Sequence, residues 1–198
     1  MRRGMDPMPQ PVTGALAPLI HVVGLSTWKR RQLRRFLPRQ PMRFVRELAA
    51  APRDASIAIW AGHPEAAAAA SRGEGRCILL EDGFLRSCGL GADLVRPLSW
   101  VADPVGIHFD ATRPSALERI LEAGHFDAGT LARAVTLRER IVASGITKYN
   151  VGDRAWSGFA PGHEDRPVVL AVGQVESDAS LRFGALGVRS HLALVQAA

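Results

Sequence analysis

The chain has 198 residues, enough for one full core or for one domain and the beginning of another, and too few for a large two-domain enzyme. Hydrophobic residues at 47% and charged residues at 22% give an ordinary globular composition and exclude wholesale disorder. The formal charge of +6 and a sequence pI near 10.5 favour anionic partners such as nucleotides, nucleic acid or acidic lipid headgroups, without choosing among them.

Residues 1–18 read as a Pro-rich flexible leader. Pro11, Gly14 and Pro18 interrupt its apolar residues, which argues against a signal peptide, and no apolar run along the chain is long enough to span a bilayer. Cys77 and Cys88 supply neither a zinc ligand set nor a disulfide framework, so the expected compartment is a reducing cytoplasm.

The run Leu19-Ile20-His21-Val22-Val23-Gly24-Leu25 predicts a buried strand ending in a turn. Ser26 is placed to cap a helix through Trp28, Leu33 and Phe36, stopped by Pro38. Seven basic residues lie between Lys29 and Arg43, interleaved with Trp28 and Phe36. A solvated helix face, an anionic lipid surface and a nucleic-acid backbone all suit such a run. No recognition motif accompanies the charge, so nucleic acid is not expected. Lys29, Arg30, Arg31, Arg34 and Arg35 are the candidate membrane-surface residues.

The strand-to-helix pattern repeats. Ser56-Ile57-Ala58-Ile59-Trp60 predicts a strand and residues 64–70 a helix, with Pro64 in its first turn. Cys77-Ile78-Leu79-Leu80 is a third short apolar run, which delivers Glu81 and Asp82 to its end. Extended stretches are expected at 98–101 and 106–109, then a helix from Pro114 and another over 128–144 ended by Gly145. Residues 151–166 read as a linker. Residues 167–173 then open a new buried strand, followed by a polar loop and a helix from Val188. The expected architecture is α/β, a parallel sheet with helices on both faces over residues 19–150, and the start of a second domain over 167–198.

In an open parallel sheet ligands gather outside the carboxyl ends of the strands, which is where Glu81 and Asp82 fall. Arg86 and Ser87 add donors suited to sugar hydroxyls, carboxylate or phosphate. Taken alone, the Glu-Asp pair also reads as a solvated strand end with Arg86 as its ion-pair partner. The longer context is Glu81-Asp82-Gly83-Phe84-Leu85-Arg86-Ser87 through Pro97, followed by Asp103-Pro104-Val105-Gly106-Ile107-His108-Phe109-Asp110. With Gly24-Leu25-Ser26-Thr27-Trp28-Lys29 upstream, and Thr147-Lys148-Tyr149-Asn150 and Gly173-Gln174-Val175-Glu176-Ser177-Asp178-Ala179-Ser180 downstream, it closely resembles the family of capsule polysaccharide biosynthesis and export proteins that act as retaining β-Kdo transferases. The wording is closer to the second of that family's tandem modules.

The resemblance implies a cytoplasmic enzyme, peripheral at the inner membrane, that uses CMP-Kdo and builds a β-linked Kdo linker on a lipid acceptor. Its fold would be GT-B-like, with two Rossmann-like domains facing each other, of which this chain would carry the first and the beginning of the second. By the same resemblance Asp178 is the candidate nucleophile and Glu81 the candidate acid/base, with Asp82, Arg86, Ser87, Gln174 and Ser180 as substrate-binding candidates. Read without it, Asp178 is a loop aspartate before Ser180, a helix cap. No metal or cofactor is expected, because no His, Asp and Glu trio has ligand spacing. The His-Pro segment of the family's second domain has no counterpart here, so weak or absent activity is expected of this chain alone, with a complementary half or capsule assembly proteins as partners. The alternative is a non-catalytic basic module on an anionic membrane surface.

Overall fold

The computed structural model describes residues 19–73, 75–152 and 167–198. The expected leader and residues 153–166 of the expected linker lie outside the described residues. Five strands form one sheet: β1 (Ile20–Val23), β2 (Met42–Val45), β3 (Ser56–Trp60), β4 (Cys77–Asp82) and β5 (Trp100–Asp103), in the order β2-β1-β3-β4-β5. β2, β1, β3 and β4 run parallel, and β5 returns antiparallel to β4 with Asp82 opposite Trp100 and Leu79 opposite Asp103.

That antiparallel edge corrects the expectation of a wholly parallel sheet. A parallel neighbour needs a crossover, usually a helix, whereas residues 83–99 form a loop that turns the chain straight back. The short strand β2 was not expected either. It lies at the edge, with Arg43 turned to solvent inside the basic run, so its alternation is weak. Residues 106–109 form no strand, because the chain there turns around the carboxylate of Asp103.

The helices are α1 (Thr27–Phe36), α2 (Ala66–Ala70), α3 (Ala116–Ala123), α4 (Ala128–Ala143), α5 (Ala179–Gly184) and α6 (His191–Ala197). Ser26 caps α1 by accepting the backbone N–H of Lys29, and Arg34 and Arg35 fall in the last turn, where positive charge suits the helix dipole. Strand alternation divides the core between the two faces of the sheet. Val22, Ala58 and Leu80 pack with Leu33 of α1 on one face. Val23, Ile57, Ile59, Cys77 and Leu79 pack with Ala66 and Ala69 of α2 on the other. Helices therefore cover both faces of a mostly parallel sheet.

The run 167–173 is a second correction. It forms no strand, and Val168, Val169, Leu170 and Val172 are exposed by 55%, 69%, 84% and 73%. An apolar strand is buried by its neighbours, and among the described residues none pairs with this segment. α3, α4, α5 and α6 likewise contain no buried residue. The C-terminal helix, expected from about Val188, starts at His191, capped by Ser190.

Candidate functional site

The carboxyl ends of β1, β3 and β4 lie side by side, and the strand order reverses between β1 and β3, the position at which open α/β sheets form a ligand crevice. Gly24 ends β1 with φ of +65° and its missing side chain is replaced by the imidazole ring of His63, so the chain turns tightly there without a Cβ clash. The backbone N–H of Glu65 donates to Nδ1 of His63 and fixes that ring at the start of α2.

Glu81 and Asp82 leave opposite faces of β4, as successive strand residues do. Glu81 folds back so that Oε1 accepts the backbone N–H of Asp82 at 2.8 Å. Burial pushes its carboxyl above the ordinary range, and Asp82 adds to this. The bond from the Asp82 N–H and the charges of Lys29 and Lys148 oppose it. Asp82 is held by Arg86, with Nε 2.8 Å from Oδ2.

Arg86 and Ser87 do not face an open cleft. Arg86 is 2% exposed and also donates to Ser87 Oγ and the carbonyl of Val95, while Ser87 is 1% exposed and donates to the carbonyl of Gly89. Both side chains, expected as substrate-binding candidates, organise the loop from within in this structure.

The segment Thr147 to Asn150 clamps the same loop. The carbonyl of Lys148 accepts the N–H groups of Arg86 and Ser87, and that of Tyr149 accepts the N–H of Gly89. Asn150, in the left-handed region with φ of 51°, closes its own turn by exchanging bonds with Thr147 and donates to the carbonyl of Ser87. Cys88 lies exposed within this clamped loop, whereas Cys77 is buried in β4 with its thiol pushed up to about 11 by desolvation.

His108, in the turn after β5, packs against Phe84 with ring centroids 4.9 Å apart, and Phe84 is 60% exposed. Burial lowers the proton affinity of His108, as does the charge of Lys148, while Asp103 raises it. Asp103 was not singled out by its sequence context. It is buried, and its carboxylate accepts the N–H groups of Val105, Gly106 and Ala116, tying this turn to the start of α3.

The five basic residues expected at a membrane surface are divided. Arg31, Arg34 and Arg35 are exposed on α1. Arg30 is half-buried and donates to the carbonyl of Leu25. Lys29 turns inward, with Nζ 3.2 Å from the centroid of the Trp60 ring. Trp60 is braced edge-on by Trp100 at 5.2 Å, and Trp100 by Phe36 at 5.2 Å. Burial holds Lys29 below the usual lysine range, opposed by Glu81 and Asp82 and reinforced by Arg86.

Asp178 caps α5, its Oδ1 accepting the N–H of Ser180 at 2.8 Å. Gln174 donates to Ser180 Oγ and accepts the N–H of Val175, and its carbonyl lies 2.7 Å from Nε2 of His191. This small knot touches the sheet edge. A side chain at Gly62, just beyond β3, would meet Ala179, the neighbour of Asp178. The carbonyl of Phe183 accepts the N–H of Ala111. A cavity of about 60 Å³ lies beneath α5, lined among others by Ala61, His63, Leu79, Ile107, Asp110 and Arg182. The helix that Asp178 caps therefore meets the sheet just beyond β3, the strand paired with β4. Among the described residues, no hydrogen bond or ion pair joins Asp178 to Glu81.

A wider groove of about 680 Å³ lies elsewhere, against Leu48, Arg53, Glu65 and Arg72. Its polar groups serve the fold: Glu65 accepts the N–H of Leu48, and Arg72 donates to the carbonyls of Leu48, Ala51 and Pro52. Among the described residues, no group of three or more His, Cys, Asp or Glu is placed to hold a metal ion, and no helix is long and apolar enough to cross a membrane.

These features define an α/β protein with charged side chains collected at the carboxyl edge of a mostly parallel sheet. The chain belongs to the capsule polysaccharide biosynthesis protein family, whose profile matches residues 59–197. It is 37% identical over 185 residues to the capsule polysaccharide modification protein LipA of Neisseria meningitidis serogroup A, covering 89% of this chain and 26% of LipA. It is 39% identical over 186 residues to the lipopolysaccharide-processing protein LpsZ of Rhizobium meliloti, covering 86% and 42%.

Among solved structures it is similar to Thermosulfurimonas dismutans KpsC, beta Kdo 2,7 transferase, with TM-score 0.64 and 30% identity over 90% of this chain and 56% of that one. The KpsC beta Kdo 2,4 transferase of the same organism matches with TM-score 0.65 and 32% identity over 82% and 51%. This chain thus spans 26% to 56% of the length of these relatives.

Proposed function

We propose that the chain contributes the acceptor side of a retaining β-Kdo transferase of capsule polysaccharide biosynthesis, with residues 167–198 belonging to a second, nucleotide-sugar domain of GT-B type. The observation that carries this reading is the meeting of two family segments at one sheet edge: β4 ends there in Glu81 and Asp82, and the Asp178 cap reaches it through Ala179 beside Gly62. Similarity to two Kdo transferases supports the reaction class. Fold alone would not.

The chemistry is a double displacement. A carboxylate oxygen of Asp178 attacks the anomeric carbon of the donor sugar, and the bonding pair to the leaving oxygen departs with CMP. The acceptor hydroxyl then attacks the same carbon from the face that CMP vacated. Glu81 takes the hydroxyl proton, and the bond to Asp178 breaks with its electron pair returning to the carboxylate. Capping uses Oδ1 of Asp178 and leaves Oδ2 without a hydrogen bond among the described residues. Asp82, fixed by Arg86, orients an acceptor hydroxyl. Gln174 and Ser180 hold the Asp178 loop in shape. Arg31, Arg34 and Arg35 contact anionic lipid peripherally at the cytoplasmic face of the inner membrane, beside a lipid-linked acceptor.

The test is transfer from CMP-Kdo to a Kdo-terminated lipid acceptor, measured for this chain alone and with the remaining portion of a KpsC chain supplied separately. Asp178→Ala is expected to abolish transfer and the covalent sugar adduct detectable by mass spectrometry. Glu81→Gln is expected to slow transfer by about 10²- to 10⁴-fold. Undiminished transfer by Asp178→Ala would remove it as nucleophile.

A further inference from the structure

Lys29 does not behave like the rest of the basic run. Arg30 spends its guanidinium on the carbonyl of Leu25, Arg35 donates to Gln32, and Arg34 lies over the ring of Phe44. Lys29 is drawn inward onto Trp60 at the carboxyl end of β3. Among the described residues its ammonium makes no hydrogen bond and no ion pair. Its two carboxylate neighbours are already engaged, Asp82 by Arg86 and Glu81 by the N–H of Asp82. A half-buried ammonium with three unspent donors is costly to keep charged unless an anion arrives to satisfy it.

The geometry around it says which anion. Trp60 pairs with Leu80, so its neighbour in the next strand leads directly into Glu81 and Asp82. Trp100 stands opposite Asp82 and braces Trp60, and Ala179 lies against Gly62 two residues beyond Trp60. Lys29 therefore sits at the same edge as the candidate carboxylates on β4 and the Asp178 cap. Those carboxylates accept hydroxyl groups, as sugars require, and they repel a dianionic phosphate more strongly than a monoanion. One compact cation among hydroxyl acceptors suits a single carboxylate carried on a polyhydroxyl compound.

We infer that Lys29 is a substrate-recognition residue that binds the carboxylate of an acidic sugar at this edge. The inference rests on reading the edge as a sugar site. It explains why an aromatic brace of Phe36, Trp100 and Trp60 is built beneath one lysine, and it assigns to Lys29 a role distinct from that of Arg31 two residues on.

The test uses the whole chain labelled with ¹⁵N, titrated with Kdo, with its methyl ester, and with glucuronate and glucuronamide, following the indole signals of Trp60 and Trp100. The free acid is expected to bind about ten- to a hundredfold more tightly than its uncharged counterpart, as for a charge-assisted hydrogen bond. Lys29→Met should erase that preference, Lys29→Arg should keep most of it, and Arg39→Met, at an exposed position of the same basic run, should leave it intact. A preference for the acid that survives in Lys29→Met overturns the inference. So does equal binding of acid and ester by the native chain, or binding of neither.

If glucuronate shows the Lys29-dependent preference and Kdo shows no advantage over it, the carboxylate role stands and the Kdo reading falls. If Kdo binds with a preference independent of Lys29, the reverse holds. Folding of each variant is checked by its amide spectrum, and Lys29→Gln replaces Lys29→Met should the latter lose native dispersion.

Discussion

The two candidate catalytic carboxylates sit on very different supports. Glu81 ends a strand whose Leu79 and Leu80 are 5% and 3% exposed, in a sheet where Ile57 and Ile59 are fully buried. Asp178 starts a helix of six residues with no buried member, after an apolar run that lies open to solvent. Strand Glu81 is positioned by long-range packing, and cap Asp178 by a few local bonds. The contrast sets a carboxylate on a rigid wall, where burial alters proton affinity, against one held by a short, exposed turn of helix.

The largest effect expected from breaking this comparison lies in the core. Ile59→Ala should cost about 2–5 kcal/mol in a denaturant melt, whereas Val169→Ser, on the exposed run, should stay within about 0.5 kcal/mol. Equal costs would mean that residues 167–173 are packed in solution.

A smaller effect is expected at the cap. Asp178→Ala should lower stability by about 1 kcal/mol or less, because it removes one bond to the Ser180 N–H on a short helix, while Asp178→Asn should restore part of it. A global loss of structure in both variants would show that the cap organises more than α5.

The smallest expected effect is a pH slope. Burial raises the folded-state proton affinity of Glu81 above its unfolded value, so the native state binds that proton more tightly. Its contribution to stability is then greatest below the ordinary carboxylate range and falls as pH rises through the raised value. Glu81→Gln should flatten that fall in melts taken between the two limits. An unchanged slope would show that Lys29 and Lys148 fully offset the burial.

Much of the sheet was legible because its signals are local. The strand Ser56–Trp60, the Ser26 cap and the helix ended by Gly145 all follow from short patterns that tertiary packing did not override. What was hidden depends on partners distant in sequence. Nothing in a basic helix tells Lys29 from Arg31, because Trp60, a residue of another strand, decides which of them turns inward. The burial of Arg86 and Ser87 is equally hidden, because Lys148 and Tyr149, some sixty residues on, bind the backbone of their loop. Residues 167–173 carry the composition of a buried strand, yet burial belongs to a strand's neighbours rather than to its own residues.

The placement of the two cysteines has a practical consequence. Cys88 is exposed in the loop clamped by Lys148, Tyr149 and Asn150, while the Cys77 thiol is buried and resists ionisation up to about 11. At neutral pH a thiol-directed fluorophore should therefore label one position of the native chain. A label there would sit on the loop that Arg86 and Ser87 organise, and no engineered residue would be needed to attach it.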